Sequence, residues 1–218
     1  ISAQEAADVY REILEIAEKR YGPSGELLNG EKYHYPYHSI QGDPFLGVEG
    51  SDASIQIGGT LFEGQRIRYD IFNQEVVLDY TDPSGAPGSI VLNSKWVDYF
   101  IIGGRLFKKY PDPEGEVGFA QVIYEGRIKC IFFWEKRISQ NMYDNRQQSF
   151  SEPKRIRVIL HGEEACSFNG RRSFLHCFGR DWRPGIKDLL KEQRIRIRNV
   201  SDWQLGSLME EIDRLIEP

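Results

Sequence analysis

Apolar and polar positions alternate through Ile55 to Tyr80, IQIGGTLFEGQRIRYDIFNQEVVLDY. A period of two over successive short runs is the mark of half-buried strands. The stretch therefore predicts three strands of a meander, with tight turns at Glu63-Gly64 and Asn73-Gln74 and a bulge where Gly58-Gly59 interrupts the first strand. Ile67, Tyr69 and Ile71 fall on one face, and Arg66, Arg68 and Asp70 on the other, where solvated side chains are expected.

The same period continues downstream. Ser89 to Asn93 predicts a strand after the proline- and glycine-rich loop Thr81 to Gly88. Trp96 to Tyr110 reads as one long β segment that bends or changes partner at Gly103-Gly104. Phe119 to Tyr124 and Arg127 to Arg137 predict a hairpin about Glu125-Gly126, apolar on both faces and so central in the sheet or covered by helices. Arg155 to Leu160 and Ala165 to Phe168 predict another hairpin. Asn141 to Glu152 is polar and aperiodic and reads as a mobile connection.

The period changes to three and four at both ends. Ser2 to Tyr21 opens with an S-x-x-E capping box and carries Ala6, Val9, Ile13, Ile16 and Ala17 on one stripe. Ser173 to Phe178, Pro184 to Gln193 and Asp202 to Ile216 predict helical pieces, the last with a capping box of Ser201 and Gln204. The fold class expected is α+β: an antiparallel, mostly meandering sheet of eight to ten strands with an N-terminal helix and a C-terminal helical segment. One domain over 1–218 is expected, with the helix at 1–21, the sheet body at 32–168 and the helical segment at 172–217. The proline-interrupted piece between them, 22–50, predicts an edge or a loop.

Composition narrows the class. With 40% hydrophobic residues in 218, the chain can bury a sizeable core. No run reaches the roughly 18 to 20 apolar residues of a membrane helix, so no transmembrane segment is expected. The chain starts at Ile1, which leaves room for a removed export signal. Three cysteines at Cys130, Cys166 and Cys177 make no metal or redox spacing; Cys130 reads as a buried inert thiol, and Cys166 with Cys177 as a pair that an oxidising compartment would allow.

The net charge of −5 is unevenly placed. Residues 1–153 carry 15 basic and 23 acidic side chains, 154–198 carry 12 and 5, and the last twenty carry 1 and 5. The basic stretch either faces the protein's own acids or awaits an anion. Read as a strand, KEQRIRIRN puts Arg194, Arg196 and Arg198 on one face, a row suited to carboxylates or phosphates; internal compensation of at least two of the three is the reading favoured.

Candidate chemistry is sparse. Asp70 and Glu75 beside one turn are a pair of carboxylates of the kind glycoside hydrolysis uses. There is no G-x-S-x-G, HExxH, Walker loop or dinucleotide fingerprint. His34 and His38 share parity but would stand about 13 Å apart on a strand, too far for one metal, and no cofactor is expected. Among the aromatics, Tyr35 and Tyr37 are the binding candidates beside the arginine row. Nucleic acid is not an expected partner for so acidic a chain.

FEGQRIRYDIFNQEVVLDY, FAQVIYEGRIKCIFFWEKR and RRSFLHCFGRDWRPGIKDLLKEQRIRIRNVSDWQLGSLMEEI, in that order, resemble a recurring set of uncharacterised exported β-rich proteins of Bacteroidetes. They share a Y-D-I-F-N strand, a V-x-Y-E-G hairpin and a helical basic C-terminal segment. The resemblance implies a periplasmic or extracellular location and a β-rich body, and it carries no assigned activity or catalytic residues. The function expected is a non-catalytic binding module of the envelope or the exterior, its partner an envelope protein or a glycan; the alternative is a carboxylate-based hydrolase of glycans.

Overall fold

The computed structural model describes residues 25, 27–28, 30–47, 53–140, 148–162 and 164–216. The helix expected over 1–21 and most of the polar connection, 141–147, lie outside the described residues. The chain divides into two compact units, one of residues 1–104 with 140–149, the other of 105–139 with 150–218. The mainly antiparallel, β-rich α+β class is that of the sequence reading, with three helices toward the C-terminus.

In the first unit the strands are β1 (Gly30–Lys32), β2 (Ile40–Gln41), β3 (Ala53–Ile57), β4 (Thr60–Asp70), β5 (Glu75–Thr81), β6 (Pro87–Leu92) and β7 (Val97–Ile102). Six of them form a run ordered β1-β6-β5-β4-β3-β7, antiparallel throughout its described pairings. Alternation works as read: Ile67, Tyr69 and Ile71 are buried, and Tyr69 meets Phe100 of β7 edge to face at 5.3 Å.

Two details of the meander are exchanged. The turn between β3 and β4 is Gly58-Gly59, not Glu63-Gly64, and both glycines have positive φ, 55° and 85°, as the hairpin turns that match strand twist require. Glu63 and Gly64 lie inside β4, where the register slips between Ala53↔Gln65 and Ile55↔Phe62. Gly64, at φ 69°, is the bulge. Either glycine site offers positive φ, and alternation alone does not say which one reverses the chain. The second turn falls at Asn73-Gln74 as expected, with Gln74 at φ 61°.

The described part of the 22–50 piece is an edge and a loop. β1 is exposed along its whole length, and β2 pairs in parallel with β12 (Gln148–Phe150) through Ile40↔Gln148 and Gln41↔Ser149. Residues 148–150, expected within a mobile connection, are therefore a strand. The amide of Gln148 and the hydroxyl of Ser149 hid a pairing that only a distant partner defines.

The second unit contains β8 (Arg105–Pro111), β9 (Val117–Glu125), β10 (Ile128–Glu135), the first two residues of β11 (Ile138–Gln140), β13 (Lys154–His161), β14 (Glu164–Phe168) and helices α1 (Arg171–His176), α2 (Arg183–Glu192) and α3 (Asp202–Leu215). The order β8-β9-β10-β13-β14 puts the β9–β10 hairpin in the middle, as its apolar faces demanded. One face packs Ile128, Cys130 and Phe132 under Leu205, Leu208, Met209 and Ile212 of α3. The other gathers Ala120, Ile131, Phe133 and Val158. A bulge opposite Cys130 and Ile131 turns Ile123 and Tyr124 both toward the helices, which strict alternation would have separated. The β segment read as continuous from Trp96 to Tyr110 is two strands, because Gly103 and Gly104 both take positive φ.

Cys166 and Cys177 form a disulfide joining β14 to the end of α1. Cys130 is wholly buried, and burial pushes its thiol far above the usual range, which makes it inert as expected. Among the described residues no helix is long and apolar enough to cross a membrane.

Candidate functional site

The β4–β5 turn is built around Asp70. Its carboxylate Oδ1 accepts from the backbone N–H of Phe72 at 2.9 Å and of Asn73 at 2.8 Å, and Oδ2 accepts from Asn73 Nδ2 at 3.1 Å. This is an Asx-type turn, in which a short carboxylate satisfies amides that the four-residue reversal from Ile71 to Gln74 leaves open. Asp70 is therefore 0% exposed. The solvated carboxylate expected there is absent, and Asp70 cannot present itself to a substrate. Its directly opposed partner, Glu75, lies half-buried at the start of β5. Burial, Asp70 and Glu31 together raise the Glu75 carboxyl above its ordinary range.

The segment 33–46 is strapped across this turn. Ile71 N donates to Pro44 O, Leu46 N to Tyr69 O, and Phe45 bridges to Asp70. The prolines of this piece keep it extended, and its alternate positions Tyr33, Tyr35 and Tyr37 all settle half-buried while His34, Pro36 and His38 stay exposed. Tyr37 meets Tyr35 edge to face at 5.5 Å and Phe72 at 5.7 Å. Its hydroxyl accepts from Asn73 Nδ2 at 2.6 Å, so the carboxamide links the Asp70 turn to the aromatic tier. Tyr35 also meets the ring of His38 at 5.3 Å and donates to Gly42 O at 3.2 Å.

At the inner end, Arg68 lies over the rings of Phe45 at 4.4 Å and Tyr33 at 5.6 Å. Asp79 holds that guanidinium in two bonds of 2.6 Å and accepts from Ser89 Oγ at 2.5 Å. The Tyr33 hydroxyl is buried with no hydrogen-bond partner among the described residues. Burial, with Asp70 second, pushes it up to about 12.

Beside the turn opens a cleft of about 700 Å³, lined by Glu31, Lys32, Asn73, Gln74, Glu75 and Asn93 among others. Asn73 belongs to both the cleft and the tyrosine tier. Of the residues singled out in the sequence, Tyr35, Tyr37, Asp70 and Glu75 thus come together. Asn73, Phe72 and Glu31 were not singled out as site residues. Of these only Asn73 had a signal in the sequence, its place in the Asn73-Gln74 turn.

Arg194, Arg196 and Arg198 do not form a strand. α2 ends at Glu192, and Arg194 takes a left-handed φ of 53°, so the chain turns instead of extending. All three stay exposed around the buried Ile197, and none has a carboxylate within ion-pair distance among the described residues. Among the described residues no carboxylate compensates the row. Arg157 holds the segment by its backbone instead, donating to Ile197 O at 2.7 Å and Arg198 O at 3.3 Å.

Among the described residues no group of three or more His, Cys, Asp or Glu could hold a metal ion. Comparison of the chain with protein-family models, curated proteins and solved structures found no match.

Proposed function

We propose that the protein is a non-catalytic binding module of an envelope or extracellular compartment, and that its ligand is a glycan taken at the Tyr35–Tyr37 tier and the adjoining cleft. One observation carries this reading. Tyr37 is fixed between Tyr35 and Phe72 and tied through Asn73 to a buried carboxylate, so rings and amide are held in place before any ligand arrives. Rigid aromatic faces beside amides and carboxylates suit sugars, which offer an apolar C–H face and a rim of hydroxyls. The resemblance to exported Bacteroidetes proteins and the Cys166–Cys177 disulfide support the compartment.

The test is calorimetric titration with a panel of neutral oligosaccharides. Tyr35→Ala with Tyr37→Ala is expected to weaken binding at least tenfold, the size typical of aromatic anchors, on the order of 1.4 kcal/mol. Affinity unchanged in the double variant sinks the reading.

A second reading, a glycan hydrolase, rests on Glu75. A half-buried carboxyl with a raised pKa in a cleft is the description of a general acid, and Glu31, also lining the cleft, replaces the sequestered Asp70 as its partner. Reducing-sugar release lost in Glu75→Gln would establish it.

A further inference from the structure

The second unit carries an uncompensated cluster of guanidinium groups. The Arg198 side chain lies over Gly170, its Nε 3.5 Å from where a Cβ would stand, and Gly170 leads directly into Arg171 and Arg172. Arg157, whose strand position opposes Phe168 of β14, clamps the carbonyls of Ile197 and Arg198 and so fixes this loop beside the start of α1. Arg171, Arg172, Arg196 and Arg198 are all exposed, and none has a carboxylate at ion-pair distance among the described residues. Arg155 and Lys154, by contrast, are neutralised by Asp202 and Glu135. Like charges near one another repel, and among the described residues no carboxylate pairs with Arg171, Arg172, Arg196 or Arg198.

We propose that this cluster, with Trp203, is a docking surface for an acidic polysaccharide bearing sulfate or carboxylate groups. Guanidinium forks take both groups bidentately. A protein partner would call for an apolar centre, and a lipid surface for a set of inserting side chains. The second unit exposes only Val117, Trp203 and Leu215 as large apolar side chains among its described residues. Trp203, 79% exposed, follows the arginine loop by five residues and sits on the side of α3 opposite buried Leu205 and Ile212. An open indole five residues after the arginine loop is the kind of ring face on which a charged sugar chain stacks while its acids pair with guanidinium groups.

The proposal does not rest on the tyrosine tier, which lies in the other unit and binds neutral sugars in the reading above. The two fail separately. The experiment titrates the protein with dextran sulfate and polygalacturonate at 50 and 300 mM NaCl (about 14 and 6 Å Debye length). Neutral dextran, a single-stranded oligonucleotide and anionic phospholipid vesicles serve as competing probes. Arg171→Gln with Arg172→Gln, and Arg196→Gln with Arg198→Gln, are each expected to lower affinity for the acidic polysaccharides at least fivefold. Lys187→Gln with Lys191→Gln, the same charge change on α2, is expected to lower it less than twofold. Trp203→Ala, at a side chain 79% exposed, is expected to lower it at least threefold. The proposal is overturned by equal losses in the lysine control, by unchanged affinity in Trp203→Ala, by absence of binding to either polysaccharide at 50 mM NaCl, or by tighter binding of oligonucleotide or vesicles.

Discussion

Asp213, near the end of α3, accepts a 3.0 Å hydrogen bond from the backbone N–H of Ile128, the first residue of β10, 85 positions away. Its other oxygen accepts from Arg127 N at 3.2 Å and from the Tyr124 hydroxyl at 3.0 Å. One carboxylate thus fastens the helix to the β9–β10 turn. Burial pushes its pKa up, but the hydrogen bonds from Ile128, Tyr124 and Arg127 outweigh it and hold the group below the ordinary carboxylate range. Because the folded pKa is depressed, the stability it contributes is full above the unfolded value of about 4 and is lost as pH falls through the folded value. Asp213→Ala leaves the two amides unmatched and is expected to cost about 2–4 kcal/mol at pH 7 in urea unfolding, with a smaller loss at pH 3. A cost equal at both pH values would show that the charge is immaterial.

Gly126 occupies the corner of that turn. A Cβ there would stand 2.4 Å from Asp213 Oδ2 and 2.6 Å from the Tyr124 hydroxyl. Gly126→Ala is therefore expected to lower stability by about 2–3 kcal/mol, and to do so chiefly through the Asp213 contact. In a double-mutant cycle with Asp213→Ala the two losses should fall well short of additive. Full additivity would separate the glycine from the carboxylate.

The Cys166–Cys177 disulfide spans a sequence separation of 11 and pins α1 to β14. Replacing both cysteines by alanine removes a short-loop constraint on the unfolded chain, and the expected loss is about 2–3 kcal/mol. Reduction of the native protein should lower Tm by the same increment as the double alanine variant. A reduced protein that melts where the oxidised one does would contradict this.

Glu75 has the opposite sign from Asp213. Its folded pKa is raised, so the folded chain holds the proton more tightly, and stability falls as pH rises from the unfolded value of about 4.3 through the folded one. Glu75→Gln removes a like charge directly opposite Asp70 and is expected to gain about 0.5 kcal/mol at pH 7 and nothing at pH 3.5. Thermal unfolding at the two pH values reads the difference.

Strands with a clear period of two were readable in the chain, and so were the helices opened by Pro184 and by Ser201 with Gln204, because local residues dictate both. Gly58-Gly59 against Gly64 was not readable, since two glycine sites compete for one reversal and register decides between them. Asp70 was read as solvated from its parity; a local Asx turn engages its carboxylate through the Phe72 and Asn73 amides, and the distant strap of Pro44, Phe45 and Leu46 runs against it. The arginine alternation around Ile195 and Ile197 was real as exposure and false as a strand, because α2 ends only one turn earlier and Arg194 reverses the chain. Tyr35 and Tyr37 were picked from type and spacing alone, whereas the contacts of Tyr37 with Asn73 and of Phe45 with Arg68 are long-range packing that no short window contains.

The chain enters the first unit again at 140–149 after building much of the second. No single cut therefore yields the two parts as free-standing polypeptides. A fragment ending at Gly104 would lack Gln148 and Ser149, which pair with Ile40 and Gln41 just past the tyrosines. Genetic dissection of the tyrosine tier from the arginine cluster thus calls for a grafted or permuted gene that returns 140–149 to the first part, and simple truncations would report the loss of that strand, not the independence of the units.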